Sequence, residues 1–210
     1  MKKINKIINL KNKRPIVCLT AYSKPFAKIL DKYCDIVLVG DSLATAMLGM
    51  KNTHNVTIDT MIQHGISVKE NLSNSLCVVD MPVNTYRNIR QAKKNAKMIL
   101  KKTKCEAVKM EYNKKNYNII KSVVSIGIPV MGHIGFTPQH FKKFKVQGLI
   151  EKEQNDLIEQ ANKNQDAGVF SLVLECIGES TAKAITKSLK IPTIGIGASK
   201  YCDGQILVTD

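Results

Sequence analysis

The stretch that decides the fold is Ile36-Val-Leu-Val-Gly-Asp-Ser42. Residues 36–40 form an apolar, mostly β-branched run that is too short for a helix and typical of a parallel strand buried on both faces. Polar Asp41 and Ser42 follow at once. The stretch therefore predicts a buried strand with polar side chains at its carboxyl end.

Similar short apolar runs recur along the chain and are separated by longer amphipathic segments. The other predicted strands are residues 16–21, 76–80, 107–111, 128–133, 170–175, 193–197 and 206–209. Helical patterns occupy residues 57–72, 87–104, 154–167 and 180–189. Eight strands alternating with helices predict an α/β fold, a (β/α)8 TIM barrel. A doubly wound open sheet is the alternative, but no G-x-G-x-x-G motif follows the first strand to favour it.

The composition is that of a globular protein, with 210 residues of which 44% are hydrophobic and 23% charged. We expect one barrel domain over residues 1–210, with residues 1–14 as a basic N-terminal lead-in. No apolar run is long enough for a transmembrane helix, and residues 1–14 lack the apolar core of a secretory signal. Six scattered cysteines without a C-x-x-C pair predict a reduced, cytoplasmic protein.

The net charge of +15, from 32 basic and 17 acidic residues, raises the question of nucleic-acid binding. Nearly all the basic residues are lysines, whereas recognition of phosphates and bases favours arginine. Aromatic residues make up only 5% of the chain, so stacking surfaces are scarce. The pattern favours lysines on solvated helix faces, and we expect neither a nucleic-acid nor a membrane partner.

Polar residues end five consecutive predicted strands. In a barrel the carboxyl ends of the strands converge on one mouth, where catalysis takes place. These residues are Asp41 with Ser42, Asp80, Lys109 with Glu111, His133, and Glu175. An aspartate or histidine at one strand end is commonly structural, but five strands in succession indicate an active site.

The residue types at these strand ends suggest a chemistry. Asp41, Asp80 and Glu111 offer hard oxygen ligands, which suit Mg²⁺ better than zinc. Lys109 lies two residues before Glu111 on the same strand face and can pair with an anionic substrate group. Glu175 stays free to act as an acid or base. The set predicts a keto-acid bound to a metal that polarises its carbonyl and stabilises an enolate.

Eight ordered motifs resemble the 3-methyl-2-oxobutanoate hydroxymethyltransferase (ketopantoate hydroxymethyltransferase) family, from about residue 14 to residue 210. They are Thr20-Ala-Tyr-Ser-Lys-Pro-Phe-Ala27, Val39-Gly-Asp-Ser-Leu43, Val108-Lys-Met-Glu111, Gly132-His-Ile-Gly-Phe-Thr-Pro-Gln139, Lys145-Val-Gln-Gly148, Leu172-Val-Leu-Glu-Cys176, Ile194-Gly-Ile-Gly-Ala198 and Asp203-Gly-Gln-Ile-Leu-Val208.

The resemblance implies an enzyme of pantothenate biosynthesis with one Mg²⁺ per subunit. Such enzymes transfer a hydroxymethyl group from 5,10-methylenetetrahydrofolate to 3-methyl-2-oxobutanoate through a Mg-stabilised enolate, giving 2-dehydropantoate. Family members are cytoplasmic TIM barrels that assemble as homodecamers. The matching positions imply that Asp41, Asp80 and Glu111 hold the metal. They also imply that Asp41, Ser42, Asp80 and Lys109 bind the keto-acid, and that Glu175 accepts the proton.

The chain departs from the family pattern at Ala44, Leu149 and Ser199. Leu149 replaces a basic residue, which puts an anion or loop contact, and with it the folate affinity, in question. The sequence also stops at Asp210, the tip of the eighth predicted strand, so we expect a C-terminally short barrel without its last closing helix. Apolar surface on strands one, seven and eight is then expected to face water.

Three other interpretations compete. The first is a related Mg-dependent keto-acid lyase or mutase barrel of the phosphoenolpyruvate mutase and isocitrate lyase type. The lyases of that type would carry a catalytic cysteine loop after strand four, and residues 112–119 contain no cysteine. The second is a truncated, inactive remnant of the hydroxymethyltransferase. The third is a basic RNA-binding protein.

Overall fold

The computed structural model describes residues 1–140 and 144–209. Within them, eight parallel strands form a closed barrel in which each strand pairs with the next and the last pairs with the first. The strands are β1 (Ile16–Thr20), β2 (Ile36–Val39), β3 (Leu76–Asp80), β4 (Ala107–Glu111), β5 (Val130–Gly135), β6 (Ser171–Glu175), β7 (Thr193–Ile196) and β8 (Gly204–Leu207). The predicted TIM barrel is confirmed, and the open-sheet alternative is wrong.

Helices connect the strands and pack around the sheet. They are α1 (Lys2–Ile8), α2 (Lys24–Leu30), α3 (Leu43–Ala46), α4 (Ile58–Lys69), α5 (Ile89–Thr103), α6 (Tyr117–Val124), α7 (Glu151–Ala167) and α8 (Glu179–Ser188). None of the helices in the described ranges is long and apolar enough to cross a membrane. Asp210, at the tip of the eighth predicted strand, lies outside the described residues.

Two strands begin or end two residues away from their predicted bounds. β5 begins after Pro129, which has no N–H to donate, and extends to Gly135 at φ +93°. β8 begins at Gly204, which pairs with Ile16 of β1. A Cβ atom at Gly204 would lie 2.5 Å from the Ile16 carbonyl oxygen, so this close pairing of backbones requires glycine.

Alternation along the strands separates the protein core into two parts. In β4, Ala107 joins the cluster inside the barrel, whereas Val108 and Met110 pack outward against the helices. In β3, Leu76 and Val78 point inward in the same way. With a period of two, the next inward residues are Lys109 and Glu111 in β4 and Asp80 in β3. The barrel interior is therefore apolar below and polar at its carboxyl end.

The N-terminal segment does more than lead into the barrel. Residues 2–8 form α1, and its Ile4 and Ile7 side chains join the cluster inside the barrel. The Lys3 ammonium donates a 2.8 Å hydrogen bond to the Ser75 carbonyl, just before β3. The helix thereby covers the end of the barrel opposite the polar mouth.

Apolar surface on β1 and β8 faces water, as expected. Val17 is 41% exposed and Leu207 is 64% exposed. The same expectation for β7 is wrong, because Thr193 and Ile194 are buried and Ile196 is half-buried.

The loop that enters β3 depends on the carboxylate of Asp31, which follows α2. Asp31 accepts hydrogen bonds from the backbone N–H groups of Ser73, Asn74 and Ser75 at 2.9–3.2 Å. Partial burial raises the pKa of Asp31, but the Ser75, Ser73 and Asn74 donors outweigh it and hold the pKa below its ordinary value. The ionised form therefore stabilises the fold.

We expect Asp31→Asn to lower the free energy of unfolding by about 1 kcal/mol near pH 7, after allowance for partial exposure. Because the folded-state pKa is depressed, this stabilisation is present above the unfolded pKa of about 3.9 and is lost as pH falls through the folded pKa. Urea unfolding at several pH values should show the difference shrinking below about pH 4. Asp166→Asn, at an exposed position of α7, serves as the control. A difference that is constant with pH would contradict this role for Asp31.

Candidate active site

The carboxyl ends of the strands enclose a cavity of about 550 Å³. Each residue that the sequence assigns to the site lines it: Asp41, Ser42, Asp80, Lys109, Glu111 and Glu175. Asp41, Asp80, Lys109 and Glu111 are buried, and Glu175 is half-buried. The structure thus brings the six predicted residues together at the mouth where barrel enzymes place their chemistry.

A buried ion pair joins two neighbouring strands at the base of the cavity. Lys109 and Asp80 are register partners in β4 and β3, and Lys109 Nζ lies 2.8 Å from Asp80 Oδ1. Burial lowers the pKa of Lys109, but the Asp80, Asp41 and Glu111 carboxylates outweigh it and hold the pKa above its ordinary value. Lys109 is therefore a permanent cation at the cavity floor.

Carboxyl groups outnumber ammonium groups around this pair. Burial, followed by the Asp80 carboxylate, raises the pKa of Asp41 to about 7. Burial also raises the pKa of Glu111, and the attraction of Lys109 only partly offsets the effect. Three buried carboxyl groups thus share one buried ammonium group. This arrangement favours the entry of a further cation.

Gln139 holds two of the carboxylates in place. Its side-chain amide donates to Asp41 Oδ2 at 2.8 Å and to the Met81 carbonyl at 3.0 Å, and its backbone N–H donates to Glu111 Oε2 at 3.1 Å. The Tyr86 hydroxyl in turn donates to the Gln139 side-chain oxygen. Sequence reasoning gave Gln139 no role, although it lies in the Gly132–Gln139 motif that carries the resemblance.

His133 lies between Glu175 and the carboxylate cluster. Its Nε2 atom lies 3.1 Å from Glu175 Oε2, and its Nδ1 atom lies 3.8 Å from Glu111 Oε1. Burial lowers the pKa of His133, and the hydrogen bond to Glu175 offsets this only in part. The 3.1 Å contact places the imidazole beside the Glu175 carboxylate, and both ring nitrogens are buried without a hydrogen-bond partner of good geometry among the described residues. Sequence reasoning placed His133 at a strand end but did not assign it to the site.

The structure also locates Ser42 and the three residues that depart from the family pattern. Ser42 precedes α3, and its hydroxyl shares a 2.9 Å hydrogen bond with the Tyr22 hydroxyl. Ala44 is buried in α3, and Ser199 is buried in the turn before β8. Leu149 is exposed, and it is not among the described residues that line the cavity. Leu149 is therefore not part of the described cavity wall.

The side chains fit a magnesium ion by donor chemistry. Asp41, Asp80 and Glu111 supply only oxygen donors, and Glu111 Oε1 is buried without a hydrogen bond. As these side chains lie, no group of three or more His, Cys, Asp or Glu residues in the described ranges is arranged around one metal position. Mg²⁺ does not require such a group, because it keeps several waters and binds through one or two carboxylates.

Fold and site together define a barrel enzyme with an acidic, lysine-containing pocket at its carboxyl end. The family model of ketopantoate hydroxymethyltransferase matches residues 1–210. A 3-methyl-2-oxobutanoate hydroxymethyltransferase of Pelagibacter ubique is 53% identical over 209 residues, which cover 100% of this chain and 81% of the relative. The enzyme of the same name from Thermosipho africanus is 49% identical over 98% of this chain and 79% of its own length. The chain belongs to the ketopantoate hydroxymethyltransferase family.

Solved structures of similar fold have little sequence in common with this chain. A phosphoenolpyruvate phosphomutase from Streptomyces platensis aligns with a TM-score of 0.74 at 9% identity, covering 99% of this chain and 80% of its own. A phosphonopyruvate hydrolase, solved with oxalate and Mg²⁺, aligns with a TM-score of 0.67 at 12% identity, covering 93% and 72%. These likenesses support the barrel fold alone.

Lys109→Met should destabilise the protein strongly, because it leaves Asp80 and its neighbours without their cation. We expect the free energy of unfolding to fall by about 3–5 kcal/mol, measured by urea unfolding in the presence of a chelator. Adding Asp80→Asn to Lys109→Met should recover part of the loss. Lys114→Met breaks an exposed pair with Asp156 and should cost no more than about 1 kcal/mol. A loss at Lys109 as small as that at Lys114 would contradict the importance of the buried pair.

Proposed function

We propose that this chain transfers a hydroxymethyl group from 5,10-methylenetetrahydrofolate to 3-methyl-2-oxobutanoate, giving 2-dehydropantoate for pantothenate biosynthesis. The observation that carries the proposal is the geometry of the cavity: a buried Lys109 among three carboxyl groups, with Glu175 held separately by His133. Membership of the family supports the same reaction. Cytoplasmic location and a homodecameric assembly stay predictions from the resemblance.

The cavity floor suits the keto-acid. Lys109 offers a fixed positive charge for the carboxylate, and the Ser42 hydroxyl offers a hydrogen bond to it. Asp41 and Asp80 would hold Mg²⁺, and Glu111 would contribute through its outer shell. When bound, the ion supplies positive charge that polarises the C2 carbonyl. Gln139 keeps Asp41 and Glu111 from moving together or apart.

Glu175 is the proton acceptor in this proposal. It takes the proton from C3, and the electron pair of that C–H bond forms the enolate. One of the two carbon–nitrogen bonds of the folate methylene breaks as C3 of the enolate bonds to that carbon. Water then replaces the second carbon–nitrogen bond, so that its oxygen becomes the hydroxyl and tetrahydrofolate leaves with both nitrogens. His133 keeps the Glu175 oxygen directed into the cavity by its 3.1 Å contact, so His133 is a positioning residue.

The first step can be tested without folate. In deuterated water with Mg²⁺ and 3-methyl-2-oxobutanoate, the chain should exchange the C3 proton for deuterium, followed by NMR. Glu175→Gln keeps the shape of the side chain but removes the base, so exchange should fall by about 100-fold or more. Glu179→Gln, in the first turn of α8, is the matched control.

Two outcomes would contradict the proposal. Unchanged exchange in Glu175→Gln would remove Glu175 from its role. Absence of exchange in the unmodified chain, with circular dichroism showing a folded protein, would favour the interpretation as an inactive remnant.

Mg²⁺ should stabilise the folded chain, because the site is assembled only in the folded state. At 100 times its Kd, the ion should add about 2.7 kcal/mol to the free energy of unfolding. Asp41→Asn should reduce this gain while leaving a folded protein, as measured by thermal unfolding with and without Mg²⁺. If Mg²⁺ stabilised the unmodified chain and Asp41→Asn equally, the ion would not bind at Asp41.

A further inference from the structure

The cavity is larger than the keto-acid of the proposed function needs. A volume of about 550 Å³ lies within the range that holds drug-sized ligands, well beyond the needs of a five-carbon acid. The inner part is polar and carries Lys109 and the carboxylates. Apolar side chains of the lining that lie outside the cluster within the barrel include Phe136, Pro138, Phe144 and Val208.

Two phenylalanine rings are stacked in this apolar part of the lining. Phe136 follows β5 and is buried, and its ring centroid lies 4.2 Å from that of Phe144 with 24° between the planes. Phe144 is 77% exposed, and among the described large apolar side chains only Met1, at 78%, is more exposed. One face of the Phe144 ring is covered by Phe136, so the exposed surface includes the opposite face.

The stacked pair is joined to the wall that carries Glu175. The Phe136 N–H donates a 2.8 Å hydrogen bond to the Glu175 carbonyl. The carbon donor must reach C3 of the keto-acid next to the Glu175 carboxylate. A flat ring stacked on Phe144 would therefore approach C3 of the keto-acid from the side of the cavity that carries Glu175.

We infer that Phe144, backed by Phe136, is the platform on which the pterin ring of the folate stacks; this inference rests on the proposed function. An exposed aromatic ring with one face free is suited to a flat heteroaromatic ligand, because offset stacking adds attraction beyond the burial of area. Phe136 fixes the position of the platform, and Phe144 makes the contact. Phe144 is thus a binding residue for the second substrate.

A subunit contact is the competing explanation for the exposure of Phe144. Val146, Leu149 and Ile150 follow it and are also exposed. These three side chains are not among the described residues that line the cavity, whereas Phe144 is. The position of Phe144 in the cavity wall, next to the residues that handle the keto-acid, favours a ligand.

Binding of the separate halves of the folate tests the platform. With Mg²⁺ and 3-methyl-2-oxobutanoate present, calorimetry under anaerobic conditions gives the Kd of tetrahydrofolate, of tetrahydropterin as the ring alone, and of p-aminobenzoylglutamate as the tail alone. Phe144→Ala should raise the Kd of both ring-containing ligands about 10-fold and leave that of the tail within about twofold. Phe144→Tyr keeps an aromatic ring and should retain most of the affinity. Phe26→Ala removes an exposed phenylalanine of α2 and is the matched control.

The outcomes separate this inference from the proposed function. Unchanged tetrahydropterin binding in Phe144→Ala would overturn the platform. Sedimentation could instead show that Phe144→Ala changes the oligomeric state while its affinity falls equally for all three ligands. That result would overturn the platform in favour of a subunit contact. Absence of C3 exchange in the unmodified chain would overturn the proposed function, and the comparison of ring with tail would still decide the role of Phe144.

Discussion

The ion pair between Lys109 and Asp80 is the constraint on which the rest of the site depends. It joins register partners of two adjacent strands at a depth where an unpaired charge would be strongly destabilising. The pair leaves Asp41 and Glu111 without a cation of their own, and burial and mutual repulsion raise the pKa of each. Because three buried carboxyl groups share one ammonium group, the pocket favours a cation and an anion bound together. A chelated keto-acid is such a combination.

The barrel stabilises this arrangement because its strands hold the charged side chains in position before a ligand binds. Each strand alternates inward and outward residues, so the inward column of β3 and of β4 is apolar at the bottom and charged at the top. Helix α1 covers the bottom with Ile4 and Ile7, which leaves the mouth as the open end. Hydrogen bonds from Gln139 then hold the carboxylates at set distances. The preorganised site loses little free energy to reorganisation when substrate binds.

Much of this could be predicted from the sequence, because strand periodicity and strand-end chemistry are local properties. Residues 76–80 and 107–111 were assigned to strands with their observed bounds, and Asp80, Lys109 and Glu111 meet as expected. The sequence could not indicate that Gln139, in a loop after β5, reaches across to Asp41, because that contact spans 98 residues. Nor could the sequence indicate whether His133 is a purely structural residue or contacts Glu175. The helix at residues 2–8 was missed because its lysines obscure the two isoleucines that pack into the barrel.

Similarity of fold does not decide the reaction, and the two parts of the cavity explain why. The phosphomutase and hydrolase barrels, with TM-scores of 0.74 and 0.67, share only 9% and 12% identity with this chain, so one barrel frame occurs with different reactions. The inner carboxylates and Lys109 suit enolisation of a keto-acid in general. What becomes of an enolate depends on which electrophile is bound beside it, and we propose that the outer wall of the cavity binds that electrophile. In this chain the outer wall contains the stacked Phe136 and Phe144, placed by the connection after β5. In the proposed function, the inner site forms the enolate, and the aromatic wall in the loop after β5 binds the partner with which the enolate reacts.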